Sequence, residues 1–192
     1  MGRQRLEAFS DGVFAILITI MVLELKVPRG DTLSDLWALS PLLYTYALSF
    51  VFVGIYWNNH HHMLHTVERT NGGILWANLF LLFWISLIPF GCEWLNDSRF
   101  ASLPTAIYSL ILFMAAIAYW VLQSVIIASQ GRQSALRRAV RSQWKEQISL
   151  GFYVVAFIVA FWLPLLSQVL LIVVAGMWLV PDRRIERVVL RD

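Results

Sequence analysis

Along this chain the charged positions are confined to short breaks between long apolar runs. No Asp, Glu, Lys or Arg occurs from Leu36 to Val67, from Thr70 to Cys92, from Phe100 to Gly131, or from Gln147 to Pro181. Each run reaches or exceeds the ~20 residues that an α-helix needs to cross ~30 Å of hydrocarbon. A further apolar segment precedes them, from Leu6 to Lys26, and it carries Glu7 and Asp11 in its first half.

The breaks divide the runs into helices. Helix 1 is predicted at about 6–26, closed by the turn-forming Pro28, Gly30 and Asp31. Helix 2 covers about 36–65 with Pro41 in its first turn, and helix 3 about 73–95 with Pro89 as a kink. Helix 4 covers about 104–129 and opens on Pro104, a position that suits proline. The last run would extend roughly 50 Å as one helix at 1.5 Å per residue. Pro164 therefore divides it into helix 5, about 148–162, and helix 6, about 166–180. The expected architecture is an all-α membrane protein, with six transmembrane helices forming one domain over residues 1–192.

Composition sharpens this picture without altering it. Hydrophobic residues make up 59% of the 192 positions, charged residues 14%, and the mean hydropathy is +0.67. Soluble domains carry about 45–50% apolar and about 25% charged residues. A pI near 9.3 invites a nucleic-acid reading. The distribution of the basic residues argues against one. With six crossings and an inside N-terminus, only Lys26, Arg29 and Arg99 of the 15 Lys and Arg fall outside. That is the positive-inside pattern, and five crossings would spoil it by putting Arg183, Arg184, Arg187 and Arg191 outside. The expectation is a multi-pass cell-membrane protein with both termini cytoplasmic and no nucleic-acid partner. Glu7 and Asp11 make the first segment a retained span rather than a cleavable leader. Cys92 is the single cysteine, so no internal disulfide forms.

Candidate chemistry concentrates on helix 1. Carboxylates inside a membrane helix are costly unless they face polar partners. At about 100° per residue, Phe9, Gly12, Ile16, Thr19, Ile20 and Leu23 share one stripe, with Arg5 at its inner end. Asp11 falls roughly opposite Ile16, toward the rest of its own subunit. Trp57, Asn58, Asn59, His60, His61, His62 and His65 of helix 2, with Asn71 and Asn78 at the start of helix 3, lie at the same depth as possible partners for Ser10 and Asp11. Trp57, Asn58, His61, His62 and Asn78 are the foremost of them. A stripe of this spacing is most often ordinary packing. His61 and His65 stand four residues apart, but only Glu68 lies near to complete a ligand set, so no metal site is assigned. No nucleophile motif is present, and no enzyme activity or cofactor is expected.

The string Arg5-x-x-x-Phe9-Ser10-Asp11 resembles the first-helix signature of the transmembrane-protein-175 family, the potassium channels of endosomes and lysosomes with six-helix bacterial relatives. The likeness extends through Gly12-Val13-Phe14-Ala15-Ile16, the Trp57-Asn58-Asn59-His60 string and the helix count. The resemblance implies a homotetramer whose pore is lined by helix 1 of each subunit, without a carbonyl filter. It implies Ile16 as the constriction, Ile20 and Leu23 as further layers, and Thr19 as a hydroxyl for a partly dehydrated potassium ion. Arg5, Phe9, Ser10 and Asp11 then support the pore helix rather than bind the ion. A proton-coupled secondary transporter using Asp11 and the inner-end histidines is the alternative. Against it, helices 4–6 show no echo of the helix 1 motif.

Overall fold

In the computed structural model, residues 2–130, 136 and 144–179 are described. The basic connector between helices 4 and 5, residues 132–145, and the arginine-rich tail, both of which support the topology argument, lie outside the described residues apart from Leu136, Trp144 and Lys145. The described elements are all α-helical: α1 (Arg3–Leu23), α2 (Leu33–Trp37), α3 (Ser40–His65), α4 (Gly72–Ser86), α5 (Ile88–Asp97), α6 (Ser102–Gln130), α7 (Trp144–Val159) and α8 (Pro164–Leu179). Among the described residues four stretches are long and apolar enough to cross a membrane: Arg3–Leu23, Ser40–His65, Gly72–Asp97 and Ser102–Gln130.

Local chemistry explains where the helices start and stop. α1 begins a turn earlier than the apolar pattern, at Arg3, and ends at Leu23 rather than Lys26. Val27, placed before Pro28, is disfavoured in helical backbone, so the chain leaves the helix well ahead of the proline. The run expected as helix 2 is two elements, because a turn at Ala38 and Leu39 separates α2 from α3, with Pro41 at the start of α3. Pro89 does more than kink its helix. It lacks an N–H for the preceding turn, and the ladder breaks at Leu87 between α4 and α5. Beyond α5, Arg99 and Phe100 take left-handed backbone (φ 51° and 62°), and the Phe100 N–H donates to the Leu95 carbonyl at 3.0 Å.

The last apolar run folds back on itself at Pro164. Trp178 Nε1 donates to Ser149 Oγ at 2.8 Å, and Lys145 Nζ to the Met177 carbonyl at 3.5 Å. The start of α7 therefore lies beside the end of α8, with the turn at residues 160–163, and the two run antiparallel. They pack against α3 and α6. Small polar groups seal that interface: Ser109 and Ser167 hydroxyls lie 3.1 Å apart, and Tyr44 Oη donates to Gln168 Oε1 at 3.2 Å. In hydrocarbon such bonds supply what the hydrophobic effect cannot, since lipid tails are as apolar as the helices.

The core is one cluster joining α1 with α3 through α8, with Phe14, Phe52, Met63, Leu81, Ile88, Leu112, Tyr153 and Leu171 among its buried members. At Gly91 α5 packs tightly against α6. A Cβ built there lies 3.0 Å from both Ile111 Cδ1 and the Tyr108 ring. Gly91→Val should lower the thermal midpoint of the detergent-solubilised protein, at a cost of about 1–3 kcal/mol for the overpacking. An unchanged midpoint in a fluorescence melt would show that α6 gives way there.

Candidate functional site

α1 has two unlike faces. Leu6, Ser10, Phe14, Leu17 and Met21 are buried at three- and four-residue spacing, and they set the side that packs on α3, α4 and α5. Phe9, Gly12, Ile16, Thr19, Ile20 and Leu23 lie on the other side and are exposed, Ile16 by 58% and Leu23 by 79%. Arg5 is exposed at the start of the same side. The Thr19 hydroxyl donates to the Ile16 carbonyl at 2.8 Å. Its donor is thereby used and its oxygen lone pairs are left facing outward.

A polar tie runs from the buried face. His60 Nε2 and Asn78 Oδ1 are 2.7 Å apart, Asn78 Nδ2 donates to Ser10 Oγ at 3.0 Å, and the Ser10 hydroxyl donates to the Leu6 carbonyl at 2.9 Å. The amide orientation sets the direction of the chain. Asn78 Oδ1 can only accept, so His60 carries its proton on Nε2, and every link then has one donor and one acceptor. Ser10, His60 and Asn78 are all buried, and the Phe14 ring packs on His60 at 5.5 Å. At the rim, Trp57 Nε1 donates to Asp11 Oδ1 at 2.9 Å. Arg3 Nη1 donates to the His65 carbonyl at 3.0 Å and faces Glu7 at 3.4 Å. Together these bonds fix the N-terminal half of α1 to α3 and α4.

The structure brings together Ser10, Asp11, Trp57 and Asn78, four of the positions that the sequence singled out. It leaves out others. The histidine of the tie is His60, one position before the expected pair. His61 stacks on the Trp57 ring at 6.0 Å and meets His62 and His65 edge-on. Asn58 makes no hydrogen bond among the described residues. A signal for His60 was present: Val53, Tyr56, His60 and Leu64 recur at helical spacing, and that stripe is buried. The Arg3–Glu7 pair, four residues apart, was legible by the same rule. Among the described residues no group of three His, Cys, Asp or Glu side chains is placed to hold a metal ion.

This fold and site define a class: an all-helical, multi-pass membrane protein whose first helix is tied by polar bonds on one face and bare on the other. The family model described as endosomal/lysosomal potassium channel TMEM175 matches residues 5–89, the part that contains both sides of the tie. A potassium channel of a Chryseobacterium species (strain P1-3) is 52% identical over 187 residues, 97% of each chain. A potassium channel of Streptomyces collinus is 37% identical over 123 residues, 60% of each chain. The crystal structure of a lysosomal potassium-selective channel TMEM175 homologue from Chamaesiphon minutus superposes with a TM-score of 0.81 at 28% identity, covering 94% of this chain and 97% of that one. The chain belongs to the TMEM175 family.

The two asparagines separate a structural tie from a merely polar surface. Asn78→Leu strands the His60 Nε2–H and a Ser10 lone pair in a buried site, which should cost about 1–3 kcal/mol. Asn58→Leu, at a half-buried position with no hydrogen bond to lose among the described residues, should stay within about 0.5 kcal/mol. Thermal melts of both variants in detergent check the contrast, and equal losses would show that the tie does not hold α1.

Proposed function

We propose that the protein is a subunit of a homotetrameric channel that conducts potassium passively across the cell membrane, through a pore lined by α1. One observation carries the reading. A helix anchored to α3 and α4 by buried and rim hydrogen bonds leaves a mainly apolar stripe uncovered, from Phe9 to Leu23. An anchored helix with a bare face suits a position on a symmetry axis, where four copies enclose a path that one chain has no second wall to build.

On this reading Ile16 forms the narrowest ring, with Ile20 and Leu23 as further apolar layers and Thr19 as the one hydroxyl among them. A narrow apolar ring excludes water, so an ion passes only by giving up part of its shell. Potassium holds its shell less tightly than sodium and is therefore favoured. The Thr19 oxygen lone pairs compensate part of the dehydration. Asp11 takes no part in coordination, because Trp57 occupies one of its oxygens and the helix turns it away from the stripe. The potassium-channel names of the relatives support the same ion, and six crossings with both termini in the cytoplasm fit the distribution of Arg and Lys. α7 and α8 serve as the last two crossings. At 16 residues each they are about 24 Å long, which calls for local thinning of the bilayer or snorkelling at their ends.

The test is cation flux in liposomes containing the purified oligomer, with potassium, sodium or N-methylglucamine as the only cation and Ile16→Asn beside the wild type. Potassium flux should exceed sodium flux, N-methylglucamine should not pass, and Ile16→Asn should raise the flux several-fold by wetting the ring. If an intact oligomer passes neither small cation, the passive pore is excluded and a proton-coupled transporter becomes the reading to pursue. Potassium flux indifferent to Ile16→Asn would move the constriction off α1.

A further inference from the structure

The segment between α1 and α3 presents an apolar surface that the described residues leave bare. α2 has five residues and none of them is buried. A reciprocal cap holds its shape: the Asp35 N–H donates to Thr32 Oγ1 at 3.2 Å, the Thr32 N–H donates to the Asp35 carboxylate at 3.1 Å, and the Thr32 hydroxyl bonds the same carboxylate. At helical spacing Leu33, Leu36 and Trp37 share one side of this turn, while Ser34 and Asp35 lie on the other. Leu33 is 85% exposed and Trp37 79%, and Val27 in the preceding linker is 85% exposed. A turn this short gains little from helix propensity, and its shape depends on its caps and on what its apolar side meets.

Position and size identify what covers it. α1 ends at Leu23 and α3 begins at Ser40, so α2 lies at the level where two apolar spans stop and the hydrocarbon gives way to headgroups. Tryptophan is enriched at that level, with its ring among the acyl chains and its N–H among the headgroups. The charges beside it carry both signs: Lys26, Arg29, Asp31 and Asp35, with Lys26 paired to Asp97 at 3.8 Å. Mixed charge of this kind suits zwitterionic headgroups. A second copy of the chain fits less well. Three side chains on a five-residue helix fall far below the ~1,000 Å² that a stable protein interface needs.

We propose that α2 is an interfacial anchor, with Leu33, Leu36 and Trp37 seated at the headgroup–acyl boundary of the bilayer and Ser34 and Asp35 turned to water. Through the linker of residues 24–31 it holds the end of α1 opposite the polar tie. The anchor recognises the bilayer by apolar contact and needs no particular lipid head.

The experiment uses the full chain with Cys92→Ala, reconstituted in phosphatidylcholine vesicles and carrying a nitroxide at position 37 (Trp37→Cys) or 34 (Ser34→Cys). Neither position is buried, so neither label disturbs the core. Collision with oxygen, which partitions into lipid, is compared with collision with a water-soluble nickel chelate. At position 37 oxygen should exceed the chelate several-fold, and at position 34 the order should reverse. Chelate dominance at 37 would place the patch in water. Weak collision with both quenchers at 37 would mean that protein covers it, with a second copy as the first suspect. Oxygen dominance at both positions would bury the whole turn and overturn the proposed orientation. Each of these results removes the anchor.

Discussion

Everything distinctive about this molecule depends on making hydrogen bonds where no water can make them. In the bilayer core an unpaired polar group costs several kcal/mol, so a polar side chain in a membrane helix commits that helix to whichever neighbour satisfies it. Ser10 commits α1 to Asn78 of α4, and Asn78 in turn commits α4 to His60 of α3. Three helices are thereby locked in rotation and in depth by one chain of donors. Apolar packing in the second half of α1 is less discriminating, since turning that half by one position would still present Ile18 and Val22, or Ile16 and Ile20, to the core.

That rotational lock explains why the other face of α1 is so well defined. With Ser10 and Phe14 fixed inward, Ile16, Thr19 and Leu23 have no choice but to face outward. Asp11 sits between the two sides, and its bond to the Trp57 indole stops the helix from rolling the carboxylate into hydrocarbon. The order Phe9-Ser10-Asp11 therefore reads as one bare side chain, one buried tie and one rim clamp in succession. The physical reason for the motif is that 100° steps carry three consecutive residues across three different environments.

Much of this was legible from residue order. The charge-free runs fixed the apolar spans, and Asp11 within an apolar helix announced a polar partner at the same depth. Pro164 marked the fold-back of α7 on α8, because an unbroken helix would overreach the bilayer. Other features were not legible for identifiable reasons. Three consecutive histidines differ only in phase, and choosing His60 requires the α3 stripe to be aligned on its buried members rather than on its polar ones. The separation of α2 from α3 rests on a turn at Ala38 and Leu39, residues with no turn preference, and on the Thr32–Asp35 cap that starts α2 before the charge-free run begins. The break at Leu87 came from Pro89 acting two residues ahead of itself, where sequence alone distinguishes a kink from a break poorly.

The polar bonds are also distributed unevenly along α1, with consequences for how the helix can move. Arg3, Ser10 and Asp11 each hold it within its first nine described helical residues. Beyond Asp11 the contacts with its own chain are apolar, through Phe14, Leu17 and Met21, and the one ion pair near its far end, Lys26 with Asp97, is exposed at 3.8 Å. Exposed pairs of that length contribute little. Ile16 lies five residues past the clamp, about 7.5 Å along the axis, and Leu23 about 18 Å. A helix clamped at one end swings most at the other, so in the proposed pore the ring at Ile16 stays close to the fixed end while Leu23 has the larger excursion. Narrowing at Ile16 is then set by side-chain size, whereas the width at Leu23 depends on what restrains the chain after it. The segment with that position is the linker and α2, which is why the bare side of a five-residue helix matters to a pore lined by its neighbour.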